Sequence, residues 1–131
     1  MRLLDYTHTP QNILMIEDDR TLSDVLAEEL RSQGWIVRQA YTCAEARDLL
    51  PGASLSLLLL DINLPDGNGL ALLKEIRELH HLSEVMVVVM SSSPVARAEL
   101  KHHQVGAFLA KPFSSQQLVT TINGLFSGER Q

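Results

Sequence analysis

Residues 57 to 67 read L57-L-L-L-D-I-N-L-P-D-G67. Four leucines in a row lack the alternation of a half-exposed strand, so they predict a strand covered on both faces, as in the middle of a parallel sheet. The run ends at Asp61, followed by the turn formers Pro65, Asp66 and Gly67. A carboxylate beside a buried strand is costly to ionise unless something near it favours negative charge. Asp61 is therefore either a polar terminator or a group placed there to react.

The sequence on either side alternates between strand-like and helix-like patterns. Before the leucine run, Ile13 to Ile16 forms a short apolar strand, and Leu22, Val25, Leu26 and Leu30 recur at helical spacing up to Gly34. Trp35 to Gln39 reads as a second strand. Thr42 with Glu45 is a capping box, opening a helix with Cys43, Ala46 and Leu50 on one face. The third strand runs from Leu55 to Leu60 after a Pro51-Gly52 turn.

After the leucine run, Leu72, Leu73, Ile76 and Leu79 stripe the next helix, and Val85 to Met90 is a fourth strand. Ser93-Pro94 predicts an N-cap with proline at the first helical position, and Gly106 the end of that sparsely apolar helix. Ala107 to Ala110 is a short fifth strand. Ser114 with Gln117 caps a final helix that turns Leu118, Val119, Ile122, Leu125 and Phe126 inward. Five strands alternating with five helices imply α/β architecture: a flavodoxin-like (βα)5 three-layer sandwich with a parallel sheet in the order 2-1-3-4-5.

Composition sets the outer limits. A chain of 131 residues, 45% hydrophobic and 21% charged, fits one ordinary globular domain. No apolar run approaches the ~18 residues that span a bilayer. The first ten residues carry no secretion signal, and a lone Cys43 excludes an internal disulfide, so a cytoplasmic home without membrane attachment is expected. A formal charge of −5 argues against direct nucleic-acid binding. Residues 1–11 read as an N-terminal arm, 12–127 as the domain and 128–131 as a tail.

In such sheets, chemistry collects at the carboxyl ends of the strands. There the order places Glu17 and Asp18 (strand one), Asp61 (strand three), Ser91 (strand four) and Lys111 (strand five) side by side. Two like charges ~4 Å apart cost about 4 kcal/mol at an effective dielectric of 20, and one ammonium cannot balance three acids. A hard divalent cation can. The oxygen-only donor set suits Mg²⁺ and, with no Cys or His ligand, argues against zinc.

I13-L-M-I-E-D-D19, L57-L-L-L-D-I-N-L-P-D-G67 and A110-K-P-F113, in this order, resemble the receiver domain of two-component response regulators. The resemblance runs from about Ile13 to Phe126. It implies that Asp61 is the phosphoacceptor, taking a phosphoryl group from a phosphohistidine on a sensor histidine kinase or a histidine phosphotransfer protein. It also implies that Asp18 and Asp61 bind Mg²⁺ directly, Glu17 through a water, and Asn63 through its backbone carbonyl. Ser91 and Lys111 would contact phosphoryl oxygens, with a cis Lys-Pro bond after Lys111. Ser91 and Phe108 would then form a switch that reshapes the helix four–strand five–helix five surface for a partner or a second copy. Such a protein would catalyse only its own phosphorylation and dephosphorylation.

Other readings compete. Asp18 and Asp19 could merely cap the first helix, though capping alone requires neither Glu17 nor Asp61. His80-His81 and His102-His103 read as solvated surface rather than metal ligands, and Cys43 as a small buried hydrophobe. A dehalogenase-type phosphatase would carry an acid where Asn63 stands. A flavodoxin-type carrier would not place acids after strand one, and no glycine-rich nucleotide loop exists. A partner-docking pseudo-receiver is the non-catalytic alternative. With only Ser127 to Gln131 after the last helix, a single-domain regulator or relay shuttle is expected, the alternative being a receiver fragment of a larger regulator.

Overall fold

The computed structural model describes residues 11–95 and 97–127. Most of the expected N-terminal arm and the whole C-terminal tail lie outside the described residues. Five strands, β1 (Asn12–Ile16), β2 (Ile36–Ala40), β3 (Leu57–Asp61), β4 (Met86–Ser91) and β5 (Ala107–Ala110), form one sheet in the order β2-β1-β3-β4-β5. Every pair is parallel. The helices are α1 (Arg20–Ser32), α2 (Cys43–Leu49), α3 (Gly69–Arg77), α4 (Arg97–His102) and α5 (Ser115–Ser127), with a 3-10 turn at His80–Leu82.

Strand residues alternate between two cores. Leu14, Ile16, Leu58, Leu60, Val87 and Val89 face α2 and α3. Ile13, Met15, Leu57, Leu59, Val88 and Met90 face α1 and α5. This is the three-layer (βα)5 sandwich. All four leucines of residues 57–60 are fully buried, each stabilising the fold by about 1.5–3 kcal/mol relative to exposure. The strand that carries Asp61 is thus pinned from both faces.

Of the two expected capping boxes, Ser114/Gln117 forms in full, whereas at Thr42/Glu45 the return bond goes to the residue before the N-cap. Thr42 Oγ accepts from Glu45 N at 3.0 Å, while Glu45 reaches back to Tyr41 N at 2.7 Å. Ser114 and Gln117 exchange bonds of 3.0 and 2.8 Å.

Several expectations shift. Asp61 and Ser91 are themselves the last ladder residues, paired with Met90 and Ala110. In α1 the buried stripe is Ser23, Leu26, Ala27 and Leu30, with Val25 turned to solvent. Ser23 can face inward because its hydroxyl accepts from Gln39 Nε2 at 2.9 Å.

The fourth helix does not begin at Ser93-Pro94, where the chain is non-helical and the Ser93 N–H donates to Ser91 Oγ at 3.0 Å. Helical geometry starts at Arg97. Gly106 does not end it either: Gln104, with φ of 60°, makes the left-handed turn. Gly106 instead packs where an added Cβ would lie 2.6 Å from Met86 Sδ and 3.2 Å from the Val87 carbonyl oxygen. His81 is more than solvated surface, since its Nε2 lies 3.0 Å from the Leu50 carbonyl.

Candidate functional site

The carboxyl ends of β1, β3, β4 and β5 meet at one edge of the sheet, and each strand delivers one polar group there. Glu17 follows β1 and stays in the ladder, its N–H bonded to the Ala40 carbonyl at 3.0 Å. Its side chain is fully buried. Oε2 accepts from the Asp19 N–H at 3.1 Å. Oε1 forms a buried salt bridge with Lys111 Nζ at 2.7 Å. Asp18 is exposed. Asp19 caps α1 by accepting from Leu22 N at 3.0 Å, the role expected of an acid at a helix start.

Asp61 is 3% exposed at the tip of β3. Oδ1 accepts from the Asn63 N–H at 3.1 Å, and Oδ2 accepts from Lys111 Nζ at 3.2 Å. One ammonium therefore bridges Glu17 and Asp61. Lys111 is brought there by its own N–H, which donates to the Ser91 carbonyl at 2.8 Å, and the Lys111-Pro112 peptide after it is cis. Ser91 is buried at the end of β4. Asn63 is exposed and its Nδ2 lies 3.5 Å from Ser93 Oγ.

Among the described residues, Glu17, Asp18 and Asp61 are the group whose potential metal-ligating atoms converge, one carboxylate oxygen from each lying within 4.8 Å of the others. Burial, reinforced by the charge of Asp61, pushes the Glu17 carboxyl up to about 7 against the opposing pull of Lys111 and the Asp19 N–H. Burial alone would lower the Lys111 ammonium, but contacts with Glu17 and Asp61 outweigh it and raise the group. The three converging carboxylates, paired with one ammonium, and their oxygen-only donors fit a hard divalent cation. The histidine pairs contribute nothing to this cluster.

Phe108 sits elsewhere. It pairs with Val89 in the ladder and packs half-buried against the α2–α3 core. With Leu100, Lys101, Val105 and Ala107 it lines an open groove of ≈ 320 Å³.

Two features of the site were not legible in the sequence. Gly69 is the first residue of α3, and a Cβ there would lie 2.3 Å from the Asp61 carbonyl oxygen and 2.8 Å from Ile62 Cα. Only a bare backbone lets the helix fold so closely under Asp61. Asp66 is the second: its carboxylate accepts from Cys43 N at 2.7 Å and Ala44 N at 3.0 Å. The sequence signal was turn chemistry alone, because the partners stand more than twenty residues away.

The architecture accords with the known proteins the chain is similar to. The family profile described as the response regulator receiver domain matches residues 13–123. The chain belongs to that family. It is 36% identical over 115 residues to the transcriptional regulatory protein CpxR of Escherichia coli (strain K12), covering 86% of this chain and 48% of that protein. It is 28% identical over 117 residues to the transcriptional regulatory protein TrcR of Mycobacterium tuberculosis, covering 89% and 46%. The chain thus spans about half the length of these relatives.

Among solved structures, the non-phosphorylated HemR receiver domain from Leptospira biflexa is similar with a TM-score of 0.81 at 28% identity, over 89% of this chain and 94% of that one. A CheY-like receiver domain protein from Methanospirillum hungatei shares the fold with a TM-score of 0.83 at 23% identity, over 93% and 98%.

Proposed function

We propose that this chain is the phosphoacceptor of a two-component or phosphorelay system, with Asp61 as the acceptor. The observation that carries the reading is the Lys111 ammonium held between Glu17 and Asp61, at 2.7 and 3.2 Å, beside a cluster of three carboxylates. A carboxylate oxygen of Asp61 attacks phosphorus while the phosphorus–nitrogen bond of a phosphohistidine breaks. The imidazole leaves with the electron pair and is reprotonated. Lys111 gives up part of its contact with Asp61 to a phosphoryl oxygen, and the Ser91 hydroxyl turns towards another. The Asn63 N–H holds the second Asp61 oxygen in place through the transfer.

Mg²⁺ held by Glu17, Asp18, Asp61 and the Asn63 backbone carbonyl would neutralise the negative charge gathered on the group in transfer. The donor is a sensor histidine kinase or a histidine phosphotransfer protein, and the protein turns over only its own acyl phosphate. Capture of the Ser91 hydroxyl, followed by inward movement of Phe108, shifts the α4–β5–α5 surface towards a minor state that a partner or a second copy recognises. Among the described residues no helix is long and apolar enough to cross a membrane, and the signalling role proposed is a cytoplasmic one. The length of the curated relatives favours, as a second reading, a receiver serving a separate output domain.

The test is intact-mass measurement after incubation with Mg²⁺ and acetyl phosphate. Wild type is expected to gain one phosphoryl group, while Asp61→Asn and EDTA-treated wild type gain none. Equal labelling of wild type and Asp61→Asn overturns the assignment.

A further inference from the structure

The loop after Asp61 carries two groups that the proposed chemistry needs: the Asn63 N–H, which holds Asp61 Oδ1, and the Asn63 carbonyl, assigned to the metal. Asn63 itself is exposed, at the base of a short hairpin whose turn is Pro65-Asp66. Asn63–Leu64 pairs with Gly67–Asn68 in a two-residue ladder, too small to be stable alone. Something else must hold the loop.

Asp66 does so from the middle of the turn. Each of its carboxylate oxygens takes one backbone N–H from the first turn of α2, Cys43 at 2.7 Å and Ala44 at 3.0 Å. Gly67 packs beside the same helix start, so closely that a Cβ there would lie 3.1 Å from Cys43 Sγ. These backbone hydrogen bonds hold the Asp66 carboxyl below the usual carboxylate range. It stays charged throughout the physiological range and in the acceptor form that the clasp requires. Thr42 caps the same helix end at the Glu45 N–H, so Thr42 and Asp66 serve different N–H groups of that first turn.

We propose that Asp66 is a positioning residue that clasps the Asp61–Asn63 loop to α2, setting the affinity for the divalent cation and coupling its binding to the packing of Cys43. The inference rests on the reading of Asp61 as acceptor and deepens it. An outer partner that fixes a ligand commonly changes metal affinity 10–100-fold when removed. Here the fixed ligand is a backbone carbonyl on a loop with other anchors, so the low end of that range is expected.

The chain supplies its own reporter, since Cys43 is its single cysteine and is buried. Burial, with the Asp66 charge added, raises the thiol above its ordinary range, so it reacts slowly while the clasp is closed. The experiment measures two quantities on the full chain: the Mg²⁺ dependence of acetyl-phosphate labelling, and the rate at which Cys43 reacts with an aromatic disulfide, with and without Mg²⁺. The variants are Asp66→Ala, Asp66→Asn and Thr42→Ala.

Asp66→Ala is expected to raise the half-saturating Mg²⁺ concentration about tenfold, with the rate at saturation within about twofold of wild type. Asp66→Asn, which keeps one acceptor oxygen, falls between. Thr42→Ala removes a cap from the same helix and leaves the Mg²⁺ requirement unchanged. Mg²⁺ is expected to slow the Cys43 reaction in wild type and to lose that effect in Asp66→Ala.

Equal shifts in Asp66→Ala and Thr42→Ala would reduce Asp66 to a helix cap and overturn the proposal. So would a wild-type Mg²⁺ requirement in Asp66→Ala, or Mg²⁺ protection of Cys43 that survives the substitution. If Asp66→Ala does not fold, Asp66→Asn against Thr42→Ala decides. A wild type that takes no label refutes Asp61 as acceptor instead, and the thiol measurement then stands alone as the test of the clasp.

Discussion

The two ends of the proposed signalling path are built differently. β3, which carries Asp61, is buried along its whole length, and its tip is fixed by Lys111, the Asn63 N–H and the close approach of Gly69. β5, which carries Phe108, is only half-buried, and the neighbouring α4 has six residues and few apolar anchors. The groove beside Phe108 is open. A reacting carboxylate must be held within a fraction of an ångström, whereas a surface that changes shape must come from the low-stability end of the molecule. The contrast shows where this domain has put its rigidity.

The sharpest way to break that comparison is to truncate both regions. Leu60→Ala is expected to cost about 3–4 kcal/mol in urea unfolding, within the range for fully buried leucines. Phe108→Ala is expected to cost only about 1–2 kcal/mol, because much of the ring is already in water. Equal losses would mean that the response face is as tightly packed as the acceptor strand. Gly69→Ala should come next, at about 2–3 kcal/mol, since the new methyl meets backbone that must shift. It should also slow phosphoryl uptake, as the displaced atoms belong to Asp61. A variant of unchanged stability and labelling rate would show the acceptor end to be more pliant than its packing implies.

The smallest effect is acid dependence. The backbone N–H groups of Cys43 and Ala44 hold the Asp66 carboxyl below the ordinary carboxylate range in the folded protein. Its contribution is therefore fully present above the unfolded value and is lost as pH falls through the lower folded value. The stability gap between wild type and Asp66→Asn is expected to be constant from neutral pH to about 5 and to close below about 4. A gap that instead opened on acidification would mean that the clasp is not made by the ionised carboxylate.

The site was legible to the extent that its residues stand at strand ends. Glu17, Asp18, Asp61, Ser91 and Lys111 could be placed together because strand periodicity and the order of a parallel sheet are local and topological facts. The start of α4 was misread because Ser93-Pro94 is good capping chemistry in isolation. In the fold Ser93 to Val95 are non-helical, with the Ser93 N–H on the Ser91 hydroxyl, a contact that exists only once β4 ends where it does. In α1, Val25 is more apolar than Ser23 and yet Ser23 is buried, because Gln39 on the next strand satisfies its hydroxyl.

The sequence by itself determined the alternation of strands and helices, the doubly covered leucine strand and the gathering of acids at one edge. These follow from side-chain polarity at fixed spacings along the chain. Only the tertiary structure decided that Lys111 bridges Glu17 and Asp61, that Gly69 must lack a side chain beneath Asp61, and that Asp66 accepts the Cys43 and Ala44 N–H groups at the start of α2. Each of these depends on distances between segments remote in sequence, which composition and periodicity do not encode.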